Sequence, residues 1–339
     1  MQPALYYRTL EDMKVQCQLC PHQCTLSPGR YGKCNTRINR DGKLYTESYG
    51  ILSAISSDPV EKKPLYHFFP GHPILSIGSF GCNFACDFCQ NCDISQITPK
   101  MFSLHPVRDP WDIVGKALLT KGNIGLAYTY NEPSVYYEFM LECAVLIKEH
   151  QRFNVMVTNG YLNRSPLEEL LPYMDAFNVD LKSFRDEFYQ SHSKATLRPV
   201  LDTISRIAQS DRHLELTFLI IPGLNDSEKE WEDMVNWIVN YCGPDSVLHV
   251  SRYFPKYKLR NPPTPLKTLQ RFIDLAGDRI RYLYPGNTPL LESHTYCPEC
   301  HHLLIKRNLY HSDLVGMGQD GRCDHCHTSI YGVFQSIES

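Results

Sequence analysis

The run Gly81-Cys-Asn-Phe-Ala-Cys-Asp-Phe-Cys-Gln-Asn91 decides how the rest of this 339-residue chain is read. Cys82, Cys86 and Cys89 form a C-x3-C-x2-C loop. Three thiolates this close in sequence can hold three irons of a cubane cluster and leave the fourth iron without a protein ligand. An iron with an open position is a place for chemistry. A closed zinc site prefers four ligands in C-x2-C pairs, which this loop does not supply. Cys92 reads as a free thiol of the following loop, because a fourth thiolate would block the open iron.

Outward from the loop, short apolar or β-branched runs alternate with longer helical patterns, the signature of βα units around a parallel sheet. The runs predict strands at Ile74 to Ser79, Gly125 to Thr129, Asn154 to Thr158, Phe177 to Leu181, Leu214 to Ile220, Ser246 to Ser251 and Arg281 to Tyr284. Six or seven strands make an incomplete barrel, and a single α/β barrel of about 200 to 250 residues leaves room for small appendages. The expected architecture is therefore α/β: a partial (β/α)6 TIM-like barrel over residues 66–290, an amino-terminal four-cysteine segment over 1–65 and a carboxyl-terminal zinc-ribbon-like segment over 291–339. Ser227 and Glu230 predict a capping box for a helix whose buried stripe is Trp231, Met234, Val235, Ile238 and Val239. In such barrels the loops at the carboxyl ends of the strands build the active site, so polar residues there are candidates.

Hydrophobic residues at 42% and charged residues at 21% are ordinary for a globular chain that buries a full core. A net charge of -3 offers no broad basic footprint, so nucleic-acid binding is unsupported. No apolar run approaches the ~20 residues of a spanning helix, and Met1 to Lys14 lacks the apolar stretch of a signal peptide, so a cytoplasmic protein is expected. Fourteen cysteines in a reducing compartment argue for metal ligation rather than disulfides.

Eleven of the fourteen fall into three groups. Cys297-x2-Cys300 and Cys323-x2-Cys326, separated by 22 residues, have the spacing of two zinc knuckles closing on one tetrahedral ion. Cys17, Cys20, Cys24 and Cys34 form C-x2-C-x3-C-x9-C, a set that suits zinc or an auxiliary 4Fe-4S cluster. Zinc is the first choice there, although spacing alone does not separate the two.

The central loop, with Phe88 before its last cysteine, resembles that of the radical S-adenosylmethionine (SAM) superfamily. Over the whole chain the similarity is to the radical enzyme of the AmmeMemoRadiSam group, a relative of the pyruvate formate-lyase activating enzymes. It is carried by Cys17-x2-Cys-Pro-His-x-Cys24, the central loop, Tyr130-Asn-Glu-Pro133, Asn178-Val-Asp-Leu-Lys182 and Cys297-Pro-x-Cys300. The resemblance implies that SAM chelates the open iron through its amino and carboxylate groups. One electron then breaks a carbon-sulfur bond, and the resulting 5'-deoxyadenosyl radical abstracts hydrogen from a substrate.

It also implies roles for residues at strand ends. Glu132 matches the glutamate of a glycine-glycine-glutamate turn that meets the methionyl amine, with Tyr130 and Asn131 replacing the glycines and Asn131 offering a side-chain contact instead. Thr158-Asn159-Gly160 resembles a T-N-G segment, preceded by Val157 where activating enzymes usually carry aspartate. Asp180 and Lys182 alternate on one strand face, where the lysine pairs with the methionyl carboxylate. His249 and Arg252 fall at the barrel mouth, His249 as a hydrogen-bond donor to ribose or adenine. Memo-type and AMMECR-type companion proteins and an electron donor such as flavodoxin or ferredoxin are the implied partners. The rival expectation is a non-enzymatic iron or zinc carrier that delivers metal to a companion protein.

Overall fold

The fold is a computed structural model describing residues 1–335. Its central sheet has eight strands: β1 (Ala54–Pro59), β2 (Pro73–Gly78), β3 (Gly125–Tyr128), β4 (Phe153–Thr158), β5 (Ala176–Asp180), β6 (His213–Ile220), β7 (Val247–Arg252) and β8 (Tyr282–Gly286). They lie side by side in chain order. Strands β2 to β8 are parallel, whereas β1 runs antiparallel to β2 at the edge. Six helices make the crossovers: α1 (Pro110–Leu119), α2 (Tyr137–Glu149), α3 (Arg164–Leu170), α4 (Leu197–Ala208), α5 (Glu228–Cys242) and α6 (Leu266–Ala276). Among the described residues no pairing joins β1 to β8, so this is an open barrel of six βα units and a last parallel strand.

The parallel strands are covered on both faces, so β3 is apolar throughout, with Leu126, Ala127 and Tyr128 fully buried, and other strands bury polar residues such as Asn154, Asn178 and Glu215 beside their apolar ones. The seven expected strands occur with ends displaced by about a residue. The additional strand, β1, was not expected as such: Ala-Ile-Ser-Ser-Asp-Pro is polar, and its pairing with β2 ties part of the amino-terminal segment into the barrel sheet.

On α5 the expected stripe is buried at Trp231, Met234, Val235 and Ile238, with Val239 half-buried, and Ser227 caps the helix by accepting from the Glu230 N–H at 3.2 Å. The reciprocal half of the capping box is absent. The buried Glu230 carboxylate instead accepts from Phe184 N at 2.8 Å, from Arg185 Nε at 2.6 Å and from the Ser183 hydroxyl. It thereby fixes the loop after β5.

Two small three-stranded antiparallel sheets precede the barrel and a third, Thr295–Tyr296, Leu303–Asn308 and His311–Leu314, follows it. The carboxyl-terminal piece returns to the barrel, where Val333 N donates to His67 O at 2.7 Å and Phe69 N to Val333 O at 2.7 Å. Among the described residues no helix is long and apolar enough to cross a membrane.

Candidate metal centre and cosubstrate cavity

The carboxyl ends of the parallel strands converge on a cavity of about 510 Å³. Cys82, Cys86 and Cys89 enter it from the loop after β2, Tyr130, Asn131 and Glu132 from the turn after β3, and Thr158 and Asn159 from the end of β4. Asp180 and Lys182 border it from the end of β5, and Phe88 from inside the cysteine loop. Cys92 does not line it; this thiol is buried at the start of a short helix, Cys92–Ser95.

The loop is held from several sides. Asn131 Oδ1 accepts from Ser79 N at 2.9 Å, and its Nδ2 donates to Gly81 O at 2.8 Å. Asn159 Nδ2 donates to Asn83 Oδ1 at 2.8 Å, and Ala85 N and Asp87 N donate to Ser193 O and His192 O at 3.0 Å each. Phe84 N points at Cys82 Sγ from 3.3 Å. All fourteen cysteines of the chain are free thiols.

Burial pushes the thiols of this loop up, Cys86 to about 11 and Cys82 and Cys89 in the same direction. Thiolates in such a site need a cationic partner to form, and irons supply one. Three thiolates on one loop, stiffened by backbone hydrogen bonds and sharing a cavity large enough for a small molecule, fit a cluster with one open iron.

Glu132 is buried and fully engaged with the protein. Its Oε1 accepts from Ser134 N at 3.0 Å and Thr158 Oγ1 at 2.9 Å, and its Oε2 from Asn159 N at 2.8 Å. Burial pushes this carboxyl up, opposed by the hydrogen bonds from Asn159 and Ser134. Glu132 thus caps the short helix Pro133–Tyr136 and locks the end of β4 in place, while Asn131 secures the cluster loop. Tyr130, where a glycine was expected, keeps a glycine-like backbone with φ of 69°. Lys182 Nζ lies 2.8 Å from Asp180 Oδ2, both at the cavity wall.

Two expected cosubstrate contacts lie elsewhere. His249 is buried one pleat deeper than Ser251, with Nε2 2.6 Å from Glu215 Oε2, and does not border the cavity. The Glu215 carboxylate is fully buried and also accepts from His213 Nε2 at 2.9 Å, Tyr66 N at 2.8 Å and His67 N at 2.7 Å. An inward strand histidine beside a buried carboxylate is more strongly satisfied there than by a ligand above it. Arg252 donates from Nε to Thr264 O at 2.7 Å and lines a second chamber of about 620 Å³. The two chambers share Gln90, Leu219, Asn287 and Tyr310 as walls.

Residues without a motif also shape the first cavity. Asp58 on β1 accepts from Lys63 Nζ at 2.9 Å and from Tyr130 Oη at 2.5 Å, and the Lys63 ammonium sits 4.7 Å above the Tyr130 ring. These contacts hold the Asp58 carboxyl down at about 2, against the upward push of burial. The polar composition of β1 was the sole trace of this group in the sequence.

The outer cysteine groups differ in geometry. Cys297 and Cys326 approach to 3.5 Å and Cys300 and Cys323 to 3.7 Å, and the four sulfurs all lie within 4.8 Å of one another. Among the described residues this is the one group of histidine, cysteine and acidic side chains drawn so close. Cys17, Cys20, Cys24 and Cys34 line one small cavity that also touches Asn83 of the central loop.

Comparison with known proteins agrees with this arrangement. The sequence profile of the radical SAM superfamily matches residues 76–238. An uncharacterised protein of Methanocaldococcus jannaschii is 40% identical over 336 residues, spanning 97% of this chain and 99% of the relative. The (2S)-3-sulfopropanediol dehydratase activating enzyme of Klebsiella oxytoca is 21% identical over 119 residues, 35% of this chain and 38% of that enzyme. Among solved structures, Streptococcus suis SuiB bound to S-adenosylmethionine superposes with a TM-score of 0.51 at 13% identity, covering 67% of this chain and 53% of that one. At that identity the likeness concerns the fold.

Proposed function

The chain belongs to the radical SAM superfamily and is an enzyme of SAM-dependent radical chemistry, and from that premise we propose that it abstracts hydrogen from a substrate held beside the Cys82–Cys89 loop. In this reading Cys82, Cys86 and Cys89 hold a 4Fe-4S cluster and SAM occupies the cavity of about 510 Å³. A cluster held by these cysteines would supply the one electron that cleaves SAM to methionine and a 5'-deoxyadenosyl radical.

The chain's own residues bind and position. Lys182 meets the methionyl carboxylate as a charge-assisted pair, and Asp180, 2.8 Å away, keeps the ammonium oriented toward the cavity. Asn131, Glu132, Thr158 and Asn159 act as positioning residues that fix the loop and the strand ends around it. The substrate reaches the radical from the adjoining chamber, which shares Leu219 and Tyr310 with the cavity.

Cys297, Cys300, Cys323 and Cys326 hold a structural zinc, for which their mutual approach within 4.8 Å is suited. Memo-type and AMMECR-type proteins as companions, and a flavodoxin or ferredoxin as electron source in the cytoplasm, extend the same reading. So does action on a partner protein in the manner of a pyruvate formate-lyase activating enzyme.

The observation that carries the proposal is the convergence of three loop cysteines and the Asp180–Lys182 pair on one cavity at the carboxyl ends of a parallel sheet. Its test is anaerobic reconstitution with iron and sulfide, then dithionite and SAM. Release of 5'-deoxyadenosine that disappears in Cys86→Ala supports it. Fully loaded protein that leaves SAM intact returns the chain to the metal-carrier reading.

A further inference from the structure

The three cysteine groups fall into two geometric kinds. A single tetrahedral zinc with Zn–S of about 2.3 Å sets its sulfurs roughly 3.8 Å apart. The carboxyl-terminal pairs, at 3.5 and 3.7 Å, meet that spacing. Among the described residues neither the amino-terminal sulfurs nor those of Cys82, Cys86 and Cys89 form a group drawn together in that way. The amino-terminal group is therefore splayed like the loop that carries the radical cluster, not closed like the ribbon. A cubane, which presents a separate iron to each thiolate, needs this wider spread.

The surroundings keep the group splayed. Its four sulfurs line one hollow, with Val135 of the turn before α2 across from them. The Gly32 backbone lies beside the hollow, where a Cβ would stand 3.7 Å from Cys24 Sγ and 3.8 Å from Cys34 Sγ, an ordinary contact distance. Arg37, buried and paired with Glu138 of α2 at 2.5 Å, points Nη1 at Cys17 Sγ from 3.8 Å. Thr36 Oγ1 lies 3.1 Å from Cys34 Sγ. These groups give sulfur the hydrogen bonds that cluster thiolates accept and tie the hollow's wall to the barrel.

The site also abuts the central loop. His22, inside the amino-terminal motif, lies with Nε2 2.7 Å from Asn83 O, the residue next to Cys82. Asn83 lines the amino-terminal hollow, and Cys34 and Cys82 border one groove. Gly81 packs so tightly on Cys34 that a Cβ there would fall 2.7 Å from the Cys34 carbonyl oxygen, at a φ of 92°.

We propose that Cys17, Cys20, Cys24 and Cys34 hold a second 4Fe-4S cluster that relays one electron from a low-potential protein donor to the cluster of the Cys82 loop. The donor loses one electron, the amino-terminal cluster gains and then releases it, and the central cluster is reduced by one. The relay rests on the SAM-cleaving function proposed above, whereas the identity of the amino-terminal metal does not.

The identity is tested in a chain carrying Cys82→Ala, Cys86→Ala and Cys89→Ala, reconstituted anaerobically. Retention of about four irons and four sulfides per chain, with a paramagnetic signal on reduction that SAM leaves unchanged, is expected; zinc at both outer sites and no iron overturns it. The relay is tested in Cys20→Ser with the central loop intact. Its 5'-deoxyadenosine formation should persist with dithionite and fall at least ten-fold with a reduced flavodoxin, relative to the unaltered enzyme. Equal rates with flavodoxin, or loss of both reactions, overturn the relay and leave the iron count to decide the cluster. If the unaltered enzyme forms no 5'-deoxyadenosine with either reductant, the SAM-cleaving function fails instead.

Discussion

Asn131 Nδ2 donates to the carbonyl oxygen of Gly81 at 2.8 Å, so the turn after β3 grips the peptide immediately before Cys82. With Oδ1 accepting from Ser79 N, one side chain satisfies two backbone groups at the root of the loop. Asn131→Ala leaves both buried without partners, at about 1–3 kcal/mol each. The loop should loosen, and the expected outcome is lower iron content after reconstitution and a rate of SAM cleavage reduced on the order of ten-fold, with unchanged far-UV circular dichroism. Full iron loading at the normal rate would contradict the gripping role.

Lys182 and Asp180 pair at 2.8 Å on the wall of the cavity, and Lys182 brings the positive charge. A charged hydrogen bond to the SAM carboxylate is worth about 1.5–3 kcal/mol. Lys182→Met should therefore weaken SAM binding by about ten- to hundred-fold while iron loading stays at the level of the unaltered protein. Equilibrium dialysis of the loaded, unreduced protein reads this directly, and equal affinity of the two proteins would remove Lys182 from the carboxylate.

How much of this was legible depends on what each residue answers to. The parallel strands announced themselves because segments such as Leu126-Ala-Tyr128 are apolar on both faces. The cysteine loop and the Asp180-x-Lys182 pair were legible because their chemistry is written in adjacent residues. Strand β1 was hidden since an edge strand needs just one partner and tolerates polar residues. His249 was misplaced for a related reason: a strand pattern says which face a residue takes, not which layer of the barrel it reaches. The buried carboxylate that claims it, Glu215, lies 34 positions away on another strand. Glu132 shows a third limit, since its motif was recognisable but its bonds to Thr158 and Asn159 depend on packing between β3 and β4.

His67 gives the fold a pH dependence. Its Nδ1 lies 2.6 Å from Tyr331 O, a group that can accept but not donate, so the ring is the Nδ1–H tautomer and Nε2 accepts from Tyr284 Oη at 2.7 Å. Burial lowers its pKa to about 3, with Glu215 pulling upward and Arg307 downward. Below about 6.5 an unfolded chain takes up a proton that the folded protein refuses, so this contribution is complete above about 6.5 and shrinks as pH falls toward 3. The slope approaches about 1.4 kcal/mol per pH unit for one such proton. Urea midpoints measured from pH 7.5 to 5.5 should fall, and His67→Gln, though less stable at pH 7.5, should show a flatter decline. An identical slope in the variant would assign the loss to other groups.

The same seam predicts the outcome of removing metal from the carboxyl-terminal site. Its hairpin, Leu303–Asn308 and His311–Leu314, carries Tyr310 at its turn to the wall shared by both chambers. Cys300 and Cys323 anchor the base of that piece, and Arg307 binds it to Tyr66 O at 2.7 Å. A small unit of this size draws much of its stability from its ion, and metal binding there is folding free energy. Cys300→Ser should therefore reduce zinc by about one ion per chain and expose the buried Arg307 to trypsin, while the amino-terminal and central sites keep their iron. Displacing Tyr310 from the wall shared by the chambers should also disturb substrate placement, so that 5'-deoxyadenosine still forms but conversion of any bound substrate becomes uncoupled from it. Zinc content, tryptic pattern and iron content are three separate readings. A variant that loses zinc yet resists trypsin as the unaltered protein does would show that packing against Tyr66 and His67, not the metal, holds the wall.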